Sequence, residues 1–211
     1  MYTPRSFAEP DTSALHEFMH AHPFATLVTA RNGLFATHLP LVLRAGVGPL
    51  GTLEGHIARA NPHMSLASDP IEAMVIFSGE QAHITPTWYP SKQVDGRVVP
   101  TWNYVAVHAH GMLRLADGAD WLHAHLERLS SRHEQDRGSD WRADDPPADY
   151  VAQQLKAIIG VEIPIDKLDG KWKMSQNRSE ADVDGVVKGL GQSENGVDRE
   201  VARIVKSRRR K

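Results

Sequence analysis

The chain has 211 residues, a formal net charge of −2 and no cysteine, with 41% hydrophobic and 24% charged residues. That length suits one globular domain with a small extension, and the missing cysteines exclude disulfides, thiolate catalysis and cysteine-ligated metals. The near-neutral charge carries no global sign of a nucleic-acid binder, no run of about 18 apolar residues offers a membrane span, and an N-terminus without an apolar signal segment leads to the expectation of a cytoplasmic protein.

Taken in order, Asp11 or Ser13 caps a short helix that Pro23 stops. Residues 24–30 alternate apolar and polar side chains, a strand pattern, and Asn32-Gly33 is a two-residue hairpin signal. Residues 34–43 are the returning strand, with Pro40 placing it at an edge or bulge, and residues 53–57 are the next strand. Asn61-Pro62 opens a short helix ending near Ser68. Residues 71–78 and 82–86 are expected as two strands, and residues 98–115 as a long one bent near Gly111. The first half is therefore mainly antiparallel β, of barrel or sandwich type.

The second half changes character. Trp121, Leu122, His125, Leu126 and Leu129 make a helical stripe, and residues 148–158 form a further helix after a polar loop. Residues 161–165 and 171–174 are expected as separate strands. Ser179-Glu180-Ala181-Asp182 is a capping box that opens a helix, and a basic helix starts near Asp198.

The chemistry-bearing residues concentrate in residues 83–110. Thr85, Thr87, Trp88, Tyr89, Lys92, Arg97, Thr101, Trp102, Asn103 and Tyr104 mix flat rings with hydrogen-bonding groups. That mix suits a planar polar ligand, and equally the wall of a core or a dimer interface. His16-Glu17-Phe18-Met19-His20 matches the helical zinc-protease pattern, but Pro23 and a strand follow at once, with no second helix to supply a third ligand. His108 and His110 share a strand face, more in keeping with sheet hydrogen bonds than with a metal, and His38 and His56 are single candidates to meet a ligand. Gly189-Leu190-Gly191 lacks the setting of a phosphate loop. Arg59, Lys92, Lys171, Lys173 and Arg178 are basic residues that each suit a phosphate or plain solvent. The tail cations Lys206, Arg208, Arg209, Arg210 and Lys211 suit DNA contact or a solvated end.

Several longer runs occur in a fixed order: Met1-Tyr-Thr-Pro, Thr37-His38-Leu39-Pro40, Gly55-His56-Ile57-Ala58-Arg59-Ala60-Asn61-Pro62, Thr87-Trp88-Tyr89-Pro90, Val99-Pro100-Thr101-Trp102-Asn103-Tyr104, Val107-His108-Ala109 and Gly170-Lys171-Trp172-Lys173-Met174-Ser175-Gln176-Asn177-Arg178. Together they closely resemble the PaiB family of FMN-binding negative transcriptional regulators, over residues 1–190. The resemblance implies an α+β fold, an antiparallel, Greek-key-like FMN-binding split β-barrel with peripheral helices. It also implies a homodimer with flavin at the subunit interface. Residues 191–211, a C-terminal helix and basic tail, lie outside it. The matching positions imply that Arg59 and Lys92, with Thr37, hold the FMN phosphate. His38, Trp88, Trp102 and Asn103 would then lie near the ring, with Gln176 joining late in the chain. Physically, Arg and Lys neutralise a phosphate, Trp packs on an isoalloxazine, and Asn matches its pyrimidine-like edge. Two other functions stay open on the same barrel: an FMN-dependent oxidoreductase, and a haem-binding relative using His38, His56 or His108 as axial ligand.

Overall fold

A computed structural model of the chain describes residues 1–31, 33–63 and 70–209. Asn32, the body of the helix expected after Pro62, and the tail residues Arg210 and Lys211 lie outside the described residues. The chain divides into two compact units. The central unit is Thr12–Phe77 with His108–Leu168, and the terminal unit is Met1–Asp11, Ser78–Val107 and Asp169–Lys211.

In the central unit, helix α1 (Thr12–Ala21) buries Leu15, Phe18 and Met19 and contacts strand β4 (Val42–Arg44). Strands β2 (Phe24–Thr29) and β3 (Phe35–Pro40) pair antiparallel, with Thr29 opposite Phe35. The expected single returning strand is broken in two. β3 ends at Pro40, and the Leu41 N–H turns to the Pro23 carbonyl at 2.9 Å before β4 begins. A proline has no N–H to give the ladder, which is why the break falls there. β5 (Thr52–Ala58) pairs with β4 on one side and with β8 (Ile158–Lys173) on the other, Leu53 facing Ile163.

Two strands are longer than their sequence pattern suggests. β6 (Ile71–Ile84) and β8 each run through what was expected to be two strands, while β7 (Thr101–Ala116) is the single long strand expected there. In β6 the buried positions are Ile71, Ala73, Val75 and Phe77, then Ala82 and Ile84. The alternation slips by one residue around Ser78-Gly79-Glu80-Gln81. A periodicity argument reads such a slip as a chain break, while backbone pairing carries straight through it. The hydrogen-bonded strand order is β3-β2-β6-β7-β8-β5-β4, with the short β1 (Ala8–Glu9) added on β8. Leu27, Leu53, Val75, Phe77, Val161 and Ile163 fill the central unit's core. Helix α2 (Ala119–Gln135) adds Leu122, His125 and Leu129 to it, and helix α3 (Ala148–Ala157) packs beside α2.

In the terminal unit two 3-10 turns, Pro86–Trp88 and Pro90–Gln93, make a corner. Helix α4 (Glu180–Gly191) packs on this corner and on helix α5 (Gly196–Ser207). Ser179 caps α4 by accepting the Asp182 N–H at 3.2 Å. The Asp182 carboxylate reaches across to the corner and accepts from the Ser91 N–H at 3.1 Å and the Ser91 hydroxyl at 2.8 Å. Glycine makes the helix's close approach possible. A Cβ at Gly185 would lie 1.8 Å from the Trp88 carbonyl oxygen, and one at Gly189 would lie 2.3 Å from the Trp88 indole. So Gly189 is a packing glycine.

At Gly111, where a bend was expected, glycine is needed for a close approach of β8. A Cβ there would stand 2.0 Å from the Pro164 carbonyl oxygen of β8. Because that neighbour is backbone and cannot rotate away, Gly111→Ala is expected to destabilise the protein by roughly 1–3 kcal/mol, the usual cost of overpacking. Urea unfolding of the variant beside the parent checks this; equal midpoints would show that the strands part there at no cost.

Candidate functional site

The sequence-predicted residues divide between the units. Thr37, His38 and Arg59 belong to the central unit; Trp88, Lys92, Trp102, Asn103 and Gln176 belong to the terminal unit.

Thr37 and His38 are neighbours on β3 and so face opposite ways. Exposed His38 bonds through Nδ1 to the Thr26 hydroxyl at 2.9 Å and lies against the Phe24 ring. Thr37 turns into a polar cluster. The Asn61 side-chain amide donates to its hydroxyl at 3.1 Å, and His63 Nδ1 lies 2.7 Å from the same oxygen. The other ring nitrogen of His63 meets the Thr29 hydroxyl at 3.1 Å, and the His63 N–H donates to Asn61 Oδ1 at 2.9 Å. His63 is fully buried, and burial lowers its pKa, so it stays neutral. Its tautomer sets what Thr37 can do. With Nδ1 unprotonated, the Thr37 proton is directed at His63; with Nδ1 protonated, Thr37 keeps its proton for a ligand. Nothing in the sequence marks His63 out, since its role comes from three hydroxyl and amide groups brought together by folding.

Arg59 is engaged in a two-pronged, solvent-exposed ion pair with Asp117, one arm at 3.2 Å. That hydrogen bond raises the Arg59 pKa and lowers that of Asp117. His56 bonds through Nδ1 to His125 Nε2 at 3.1 Å, and the Trp121 ring stacks on His125 with 5.3 Å between centroids. His16 and His20 sit at the rim of α1. His16 bonds to the Leu50 carbonyl oxygen at 3.0 Å and His20 to Arg132 at 2.7 Å, and no group of three or more metal-binding side chains occurs among the described residues.

In the terminal unit Trp102 is 52% exposed, edge-on to His83. Trp88 is given over to α4, and Lys92 is exposed on the second 3-10 turn. Asn103 is buried and exchanges hydrogen bonds with the Ser175 hydroxyl at 3.0 and 3.2 Å. Gln176 closes the chain on itself, donating to the Trp172 carbonyl at 2.6 Å and accepting the Met174 N–H at 2.7 Å. Ser175 between them holds φ +64°, a left-handed conformation.

Around these residues stand cations that the sequence leaves looking like ordinary surface charges. Lys173 donates to the Thr101 hydroxyl and the Trp102 carbonyl, both at 2.5 Å. Burial lowers its pKa, and repulsion from Lys171 and Arg178 lowers it further. Lys171 donates to the Tyr2 carbonyl and lies 5.1 Å from the Tyr104 ring centroid. Arg178 covers the Tyr89 ring at 4.7 Å. A readable signal exists in Lys171 and Lys173, two residues apart and so on one strand face, with Arg178 just beyond the turn. The tail differs: Arg208 pairs with Glu9 over the Trp172 ring, and Arg209 pairs with Asp184.

Strand order and antiparallel pairing with flanking helices place the protein in the α+β class, as an antiparallel split β-barrel. The chain belongs to the family described as "Putative FMN-binding domain", whose profile matches residues 1–167. It is 33% identical over 244 residues to an uncharacterised protein of Emericella nidulans, covering 99% of this chain and 97% of that one. It is 29% identical over 212 residues to the protease synthase and sporulation protein PAI 2 of Bacillus subtilis, covering 100% of this chain and 99% of that one. The fold is also that of the FAD and heme binding protein from Mycobacterium smegmatis, at a TM-score of 0.59 and 17% identity over 79% of this chain and 73% of that one. No helix among the described residues is long and apolar enough to cross a membrane.

The buried histidines give a pH dependence. Burial, then the charges of His56 and Arg128, pull the His125 pKa down to about 3, and burial lowers that of His56. Unfolded, both titrate near 6.5. Between those values the unfolded chain binds the extra proton, so stability is full above about pH 6.5 and is lost as pH falls towards about 3. The slope from His125 alone is at most about 1.4 kcal/mol per pH unit. Urea midpoints at neutral and mildly acid pH are expected to fall together with pH, and His125→Gln to flatten that fall; an unchanged slope would remove His125 as its source.

Proposed function

We propose that the protein binds FMN as a homodimer, with the phosphate taken by Arg59 and the ring system packed on Trp102. The observation that carries the reading is family membership over residues 1–167, joined to an arginine whose ion pair is with a solvent-exposed partner. A phosphate dianion offers Arg59 a stronger bidentate acceptor than Asp117 does, and an exposed ion pair is readily exchanged. Asn61 and Thr37 lie on the same unit and supply the neutral polar groups such a ligand needs. His38, on the exposed face of β3, and Lys92 are further ligand contacts in this reading. Trp88, Asn103 and Gln176 act one step back, since each already holds neighbouring backbone or side chain. When bound, FMN supplies one- and two-electron transfer.

Two roles follow for a flavin protein of this kind. The name of the Bacillus subtilis relative, a protease synthase and sporulation protein, supports a PaiB-type regulatory role. The other role is an FMN-dependent oxidoreductase. Regulation through direct DNA contact draws on the tail, where Arg208 and Arg209 are already paired with carboxylates. FMN-dependent NAD(P)H oxidation would select the enzyme, and salt-sensitive, sequence-selective duplex binding the regulator.

The binding reading is tested by the visible spectrum of the purified protein and by fluorescence titration with FMN. Saturable binding is expected, weakened at least about tenfold in Arg59→Ala, the size of one charged hydrogen bond. A protein that ignores FMN would overturn the reading; unchanged affinity in the variant would remove Arg59 from the phosphate.

A further inference from the structure

The terminal unit holds a small cavity of about 50 Å³ lined by Thr101, Asn103, Lys173, Ser175, Asn177 and Arg178. Every one of these side chains can donate a hydrogen bond, and no carboxylate lines the cavity. Neither Lys173 nor Arg178 forms an ion pair with a carboxylate among the described residues: Lys173 gives its protons to the Thr101 hydroxyl and a carbonyl, and Arg178 lies on the Tyr89 ring. The nearby carboxylate of Asp182 accepts from Ser91 and acts on Arg178 as a nearby opposite charge. Elsewhere the protein behaves differently. Arg44 and Arg128 share Glu54, Arg59 has Asp117, Arg208 has Glu9 and Arg209 has Asp184. Lys173 sits half-buried beside other cations, and burial, then repulsion from Lys171 and Arg178, lowers its pKa.

We propose that this pocket is a binding site for an oxyanion, the phosphate or carboxylate group of a small acidic ligand, separate from the phosphate seat proposed for the flavin at Arg59. The volume suits a single such group, and the lysine ammonium, guanidinium, hydroxyls and amides are the donor set that phosphate and carboxylate recognition uses. A second cavity of about 320 Å³ shares Asn177 and Arg178, and its wall mixes apolar Met174, Val183 and Val205 with polar and charged Gln176, Glu180, Arg208 and Arg209. An acidic head in the small cavity leaves room in the larger one for a body that carries both apolar and polar groups. For a regulator that ligand is an effector; for an oxidoreductase it is an acidic substrate.

The separation from the flavin rests on the FMN reading, but the pocket itself does not. Inorganic phosphate is the probe, titrated calorimetrically into the full-length protein with and without saturating FMN. Weak saturable binding is expected in both, reduced about tenfold by Lys173→Gln and likewise by Arg178→Gln. Two variants on different elements guard against one that fails to fold, and circular dichroism of each reports folding. Absence of phosphate binding, or full binding in both folded variants, would overturn the site. Phosphate binding abolished by FMN would overturn its separateness and make this pocket the flavin's own phosphate seat. If FMN fails to bind at all, the titration without FMN still decides the pocket.

Discussion

The contact between Trp88 and helix α4 is the constraint on which the terminal unit's chemistry depends. The Trp88 indole and carbonyl occupy the space where side chains of residues 185 and 189 would otherwise be, so this corner docks only on a helix with glycine at both places. Docking brings Ser91 within reach of Asp182, whose carboxylate then serves the corner's N–H and hydroxyl. It also brings Tyr89 under Arg178, at the mouth of α4. A change at Gly189 would therefore reach Arg178 without touching it, through the loss of the Tyr89 platform. The helix start adds a modest field of its own, since its free N–H groups favour an anion nearby.

How the charges are partnered separates structural from functional cations. Glu54 is nearly inaccessible and clamped by Arg44 and Arg128, with arms at 3.1 and 2.8 Å. Removing either arginine would leave a buried carboxylate undercompensated, which makes that trio a structural element. Arg59–Asp117 is the opposite case: exposed and exchangeable. Lys173 and Arg178 are a third case: Lys173 donates to a hydroxyl and a carbonyl, and Arg178 lies on the Tyr89 ring with Asp182 as a nearby charge. A protein gains no stability from bringing such cations together, so their proximity calls for something other than folding to explain it.

The sequence made much of the fold legible and rather less of the site. Alternation found most strands, and cap chemistry at Ser179 and the stripe of Leu122, His125 and Leu129 found the helices. Periodicity misread β6 and β8 as pairs of strands, because in β6 burial slips phase around Gly79, and in β8 exposed Asp166 and Lys167 interrupt it, while each strand continues. The setting of Gly189 spoke against a phosphate loop, and the Trp88 ring above it shows its purpose. Single-residue features such as Arg59 or Trp102 could be named in advance. Relationships could not: the Asn61–Thr37–His63–Thr29 cluster and the His56–His125 pair join residues far apart in sequence. Lys173 and Arg178 were visible as charges, and what distinguishes them is the partners they do not have.

Ser175 shows how the pocket is held in shape. A non-glycine residue at φ +64° carries a cost of order 1 kcal/mol, and such residues persist where their surroundings over-determine them. Here the surroundings are explicit. Asn103 grips the Ser175 hydroxyl from β7, while Gln176 ties the end of β8 to itself through Trp172 and Met174. The left-handed residue turns the chain sharply after β8, so that Asn177 and Arg178 line the same small cavity as Lys173 rather than continuing along the strand. Glycine would make that turn more cheaply, but it would lose the hydroxyl that Asn103 holds and that faces the cavity. The strained serine therefore reconciles two demands on one position, a backbone reversal and a hydrogen-bonding group. The second demand fixes buried Asn103 in the cavity wall beside Lys173.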